Sequence, residues 1–144
     1  MKLKKYGTYM VIRLERDEEI ISTLTEAMRS QGIKGGFFYG LGVGKDLELG
    51  YFDAHNRAYK KKEFRGEYEF TSFLGNISIV DDTLSIHCHV TITDDQFNAH
   101  GGHLFRGTVP ATLEIFVFPF TEPLTRRKDD TTGLNLLYLD ADQT

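Results

Sequence analysis

Apolar and polar residues alternate with a period of two along most of this chain, and one stretch departs from it to a helical period. From Tyr6 to Leu14, the residues Tyr6, Thr8, Met10 and Ile12 share one face and Tyr9, Val11 and Arg13 the other, the pattern of a strand. Ile20, Leu24, Ala27 and Met28, with Ile21 beside them, recur at helical spacing and predict the one main helix, over about 18–31. Asp17 is placed to cap its start and Gly32 to stop it in a left-handed turn. Phe37–Leu41 reads as a short buried strand among glycines. Leu47–Phe52 and Ala58–Phe64 read as a hairpin around 53–57. Tyr68–Val80 is a long strand run with a break expected near Gly75-Asn76, and Asp81-Asp82 turns it into Leu84–Ile92. The stretch 93–102 reads as a polar loop. Leu104–Phe118 is a second long strand region with Pro110 at an edge or bulge. Residues 121–133 read as a mobile polar loop, 134–139 as a last strand and 140–144 as a tail. One helix among many strands predicts a single α+β domain over 1–144 with a largely antiparallel sheet.

Bulk properties narrow the function. The 144 residues are 40% hydrophobic and suit one compact core. A formal net charge of -4 gives no global attraction to nucleic acid or an anionic membrane. A single cysteine, Cys88, excludes an internal disulfide framework and fits a reducing compartment. No apolar run reaches the ~20 residues of a membrane helix, and none resembles a signal peptide. The expectation is a cytoplasmic protein with no membrane partner.

The most specific chemistry lies in Ser85-Ile86-His87-Cys88-His89-Val90 and Gly101-Gly102-His103-Leu104, which hold three of the five histidines. In a strand, Leu84, Ile86, Cys88, Val90 and Ile92 make an apolar face. Ser85, His87, His89 and Thr91 then point the other way, with the two imidazoles about 7 Å apart at their α-carbons. If 84–92 pairs with the segment opened by His103 after a Gly-Gly turn, all three rings meet. Neutral imidazoles suit zinc or another divalent transition metal at about 2.0–2.1 Å, and three ligands leave a position open. His100 is the candidate fourth ligand, which would make the site structural. The alternative is a pair of solvent-facing histidines with no role. Alternation turns Cys88 into the core, and His55 lies in a turn.

Other polar residues admit two readings each. Glu69 and Glu114 sit within apolar strands, where a carboxylate acts as a general acid or base if buried and paired. An exposed sheet face or an oligomer seam accounts for them equally well. Asn76 and Arg106 are candidates for holding a substrate. Lys60, Lys61, Lys62 and Arg65 form a basic cluster, and Arg126, Arg127 and Lys128 a second. The first is a candidate nucleic-acid contact; solvated strand edge or loop is the simpler account of both.

Taken in order, Gly75-Asn76-Ile77-Ser78, Ile86-His87-Cys88-His89-Val90 and Gly101-Gly102-His103-Leu104 with Gly107 and Val109 resemble the signature of the PPC domain, the "plants and prokaryotes conserved" domain. Leu41-Gly42-Val43 and Gly50-Tyr51-Phe52-Asp53 fit the same pattern. The resemblance spans about 7–139 and implies one main helix on a strongly bent antiparallel sheet, assembled as a homotrimer. It implies a metal site at His87, His89 and His103 and a DNA-associated or regulatory role, since plant members follow a DNA-gripping AT-hook. No such hook is present here. The plant Gly-Arg-Phe-Glu-Ile-Leu segment is Gly66-Glu67-Tyr68-Glu69-Phe70-Thr71, with the arginine replaced by an acid. Similarity of the family fold to acetolactate decarboxylase implies an alternative, a zinc-dependent lyase-like enzyme with a small-molecule ligand at the metal.

Overall fold

A computed structural model describes residues 1–139. Its elements are β1 (Lys2–Tyr6), β2 (Tyr9–Leu14), α1 (Ile20–Ser30), β3 (Gly36–Asp53), β4 (Ala58–Val80), β5 (Thr83–Thr93), β6 (Ala99–Thr108), β7 (Leu113–Pro119), β8 (Thr125–Lys128) and β9 (Asn135–Tyr138). All nine strands join one sheet in the order β1-β2-β7-β3-β6-β5-β4-β8-β9, antiparallel except for β4 with β8. The α+β class with one helix and a largely antiparallel sheet is therefore as expected.

The helix carries its apolar stripe as read: Ile20, Leu24, Ala27 and Met28 are buried, each of the larger three stabilising the fold by roughly 1.5–3 kcal/mol. They pack over β5 and β6. The cap differs. Asp17 adopts φ 67°, and its N–H bonds the Val109 carbonyl at 2.8 Å, so it lies too early to close the helix. Glu19 caps instead, accepting from the Ser22 N–H at 2.7 Å and the Ser22 hydroxyl at 2.6 Å. Gly32, at φ 69°, ends the helix as expected.

The strands are longer than the sequence pattern implies. Phe37–Leu41 is no short buried strand. It opens the 18-residue β3, and Phe37, Tyr39 and Leu41 are exposed while Phe38 is buried. The strand expected over 6–14 begins only at Tyr9, because Gly7, at φ 63°, turns the chain between β1 and β2. β4 runs unbroken through Gly75-Asn76; its irregularity falls between Phe70 and Ser72 instead. Residues 99–102, read as loop and Gly-Gly turn, are already strand β6. The region 104–118 divides into β6 and β7, with Pro110 in the connection. The loop at 121–133 contains β8, which joins the sheet beside β4. The tail at 140–144 lies outside the described residues.

Sheet closure positions the site. The first half of β3 pairs with β7 and the second half with β6, while β4 follows its other edge throughout. β6 also pairs with β5, and β5 with β4, so β3, β4, β5 and β6 close into a ring. Register shifts at Gly40/Gly42 and Lys45/Leu47 bend β3 enough to serve both neighbours. Asp81 and Asp82, at φ 47° and 60°, make the two-residue turn that fixes the β4–β5 register. Close approach matters at Gly75, whose added Cβ would fall on the His87 carbonyl oxygen. Gly75→Ala is therefore expected to cost about 1–3 kcal/mol, read as a lower denaturation midpoint in urea.

Candidate metal centre

Cross-strand register brings the histidines together. His89 lies directly opposite His103 in the β5–β6 pair, His87 precedes His89 by two on the same face, and Gly50 faces His103 from β3. Beneath them Cys88, Val90, Ile92 and Leu104 are buried in the core. One ligand nitrogen from each of His87, His89 and His103 lies within 4.8 Å of the other two. The Nε2 atoms of His87 and His89 are 3.2 Å apart, and the His103 ring centroid lies 5.1 and 5.4 Å from theirs.

Arg126 lies on β8, in a run whose charge pattern suggests a solvated strand edge or loop. Its side chain instead turns into the site. Nε donates to the buried Ser78 hydroxyl at 3.0 Å, Nη1 to the Asn135 carbonyl at 2.7 Å, and Nη2 to Asn76 Oδ1 and His87 Nδ1, both at 3.0 Å. A guanidinium only donates, so His87 Nδ1 accepts and the proton of this neutral ring sits on Nε2, facing His89. Tyr59 is a second residue the sequence did not flag, its ring 5.3 Å from His103. A cavity of about 300 Å³ with mixed polar and apolar walls lies between the triad and the β8–β9 ribbon, lined by His87, His103, Tyr59 and Arg126 among others. A second, of about 520 Å³, lies on the His89 side.

A family model for the Plants and Prokaryotes Conserved (PCC) domain matches residues 1–121. The chain belongs to this family. Among solved structures, this PCC-domain protein is similar to a "putative DNA binding protein" from Bacteroides thetaiotaomicron, 28% identical over 95% of this chain and 96% of that one, with a TM-score of 0.91. A metal-containing protein from Archaeoglobus fulgidus is 30% identical over 96% and 100%, with a TM-score of 0.86. A plant- and prokaryote-conserved protein from Pyrococcus horikoshii is 27% identical over 96% and 94%, with a TM-score of 0.85. Acetolactate decarboxylase from Bacillus subtilis shares the fold alone, at 10% identity and a TM-score of 0.57, with this chain covering 61% of its length. Among curated proteins none matches the chain.

The donor set of the PCC-domain protein fits a divalent ion. Burial pushes the His87 and His103 imidazoles down to about 4, and nearby positive charge adds to it, from Arg126 and His89 for His87 and from the other two histidines and Lys61 for His103. Burial lowers His89 as well. All three are then neutral near pH 7, the form that binds metal. His103 Nδ1 is buried with no hydrogen-bond partner in the protein, so it has a lone pair or proton to offer a bound group.

The other candidates fall elsewhere. His100 is no fourth ligand: its ring packs on Phe64 at 5.1 Å, outside the triad. Cys88 is fully buried in the core, and burial raises its thiol pKa. Glu69 and Glu114 are on exposed sheet positions, and neither lines a cavity at the triad. Asn76 stands across from His87 and holds Arg126. Arg106 is tied to Glu48 at 3.2 Å and Glu63 at 2.7 Å, away from both cavities. In the basic cluster, Lys60 pairs with Asp53 and Lys61 with Glu48, each at 2.7 Å, and Arg65 reaches Glu63 at 3.5 Å. Lys62 lies over the Phe64 ring at 4.8 Å.

The depressed histidines fix a pH response. A histidine whose folded pKa lies below its unfolded value of about 6.5 costs no stability above that pH. Below it the unfolded chain takes up protons first, so stability falls as pH drops toward 4. Metal-free protein is expected to lose denaturation midpoint steadily between pH 6.5 and about 4. A His87→Gln, His103→Gln variant is expected to show a flatter profile over the same window in urea titrations.

Proposed function

We propose that this protein is a metal-dependent module acting on a small molecule, with His87, His89 and His103 holding a divalent ion, zinc first among the candidates. The observation that carries the proposal is the convergence of three neutral imidazole nitrogens within 4.8 Å on one sheet face, with two cavities opening onto them. Three protein ligands leave a position for a ligand oxygen, and an ion held this way supplies Lewis acidity to a carbonyl or carboxylate. The chain's own part is orientation. Arg126, itself held by Asn76, donates to His87 Nδ1 and orients the ring before an ion takes Nε2, and Tyr59 and Phe105 pack against His103. The metal-containing description of the Archaeoglobus relative supports the same reading.

A DNA-associated role draws support from the description of the Bacteroides relative. The chain's charges favour it less. Its net charge is -4, and the cations of the first basic cluster face acids or an aromatic ring.

We also propose assembly as a homotrimer. Support comes from an exposed aromatic face: Phe37 stacks on Phe118 at 5.0 Å and Tyr39 on Phe116 at 5.3 Å, with Tyr9 and Leu41 beside them. An apolar patch of this kind on a single chain marks an interaction surface.

Two measurements test these readings. Protein purified without a metal-affinity tag should carry close to one zinc per chain by elemental analysis, lost in the triple His87→Ala, His89→Ala, His103→Ala variant; equal metal in both would refute the site. Light scattering should give three times the 16.4 kDa chain mass. Leu41→Glu, at a position 57% exposed, should shift that mass toward the monomer, and an unchanged mass would remove this face as the seam.

A further inference from the structure

The charges around the triad do not balance. A divalent ion on three neutral imidazoles keeps its full charge, and the Arg126 guanidinium lies 3.0 Å from His87 Nδ1. Among the described residues no aspartate or glutamate lines either cavity at the triad. The nearby acids Glu48 and Asp53 are already engaged by Lys61, Arg106 and Lys60. Partly buried positive charge without a counter-ion is costly, and an anionic ligand relieves it.

We infer that the cavity between the triad and the β8–β9 ribbon binds a small aliphatic monocarboxylate, with Arg126 as its fixed cation. This rests on the metal reading for half of the charge and on Arg126 for the other half. The cavity, at about 300 Å³, is at the small end for ligand sites. Val80, Ile86, Leu134 and Leu136 form its apolar side, which gives a short branched tail a surface that a bare inorganic ion would leave unfilled. The guanidinium has five N–H groups, of which four are used, leaving one on Nη1. A His87 ring that gives its Nε2 lone pair to a cation carries its proton on Nδ1, where it no longer accepts from Arg126. Two N–H donors then face each other across 3.0 Å, with no acceptor between them. The remaining Nη1–H, with the charge of the guanidinium behind it, is what Arg126 offers a carboxylate oxygen.

Isobutyrate and isobutyramide have the same shape and differ in charge, so calorimetric titration of both into zinc-loaded protein tests the proposal. Isobutyrate should bind at least about tenfold more tightly, and more tightly than inorganic phosphate. Arg126→Gln should lose at least about tenfold of that affinity, while Arg126→Lys, which keeps the charge, should retain most of it. Because Arg126 also satisfies Ser78, a second variant protects the test from misfolding: Leu136→Glu, at a 43% exposed position, puts a like charge at the cavity and should also weaken isobutyrate. Equal affinity for acid and amide, tighter phosphate, or binding indifferent to both Arg126→Gln and Leu136→Glu would overturn it. Zinc uptake is measured in the same samples. If zinc does not bind, the metal reading falls, and the acid-over-amide preference and its dependence on Arg126 still decide this inference.

Discussion

The pairing of β5 with β6, His89 across from His103, is the constraint on which the site depends, and it is a consequence of backbone hydrogen bonding and core burial. A slip of one residue would turn Cys88, Val90 and Ile92 out of the core and the histidines into it. The apolar face therefore holds the polar face in register. The Asp81-Asp82 turn sets β5 against β4, and the ring closed through β3 sets β6 against both neighbours. Three imidazoles are thus placed by many ladder bonds and a buried core, not by loops, which is the kind of support a metal site needs.

The second layer comes from β8 and β9. Arg126 reaches across β4 to Ser78, Asn76 and His87 and makes the ribbon a wall of the site. Burial keeps the three rings neutral, and at His87 the positive charge of Arg126 acts in the same direction. The result is a site rich in nitrogen donors and positive charge, without carboxylates among the described residues lining it. That distinguishes it from a site built for a basic ligand, and it is why the small-molecule reading turns toward acids.

Much of this was legible in the sequence. Period-two alternation through 84–92 placed Cys88 inward and both histidines on the opposite face, and the helical stripe from Ile20 to Met28 was read residue by residue. What the sequence hid has physical causes. The glycines at 101 and 102 suggested a turn because their other use, letting strands approach, leaves the same mark; an added Cβ at Gly102 would sit 2.7 Å from the Gly50 oxygen. Glu69 and Glu114 stood open between a buried and an exposed reading because their neighbours are apolar; a one-sided strand exposes every second residue, and both are on the exposed side. Arg126 was invisible because a run of Arg-Arg-Lys reads as solvated charge. Only the parallel pairing of β8 with β4, a long-range contact, carries it to His87.

The central claim is that these three rings share one ion. X-ray absorption at the zinc edge of loaded protein tests it most directly. The account calls for three imidazole nitrogens at about 2.0–2.1 Å with lighter oxygen scattering completing the shell. Fewer than three imidazoles, or a sulfur near about 2.3 Å, would contradict it, since the sole cysteine faces the core.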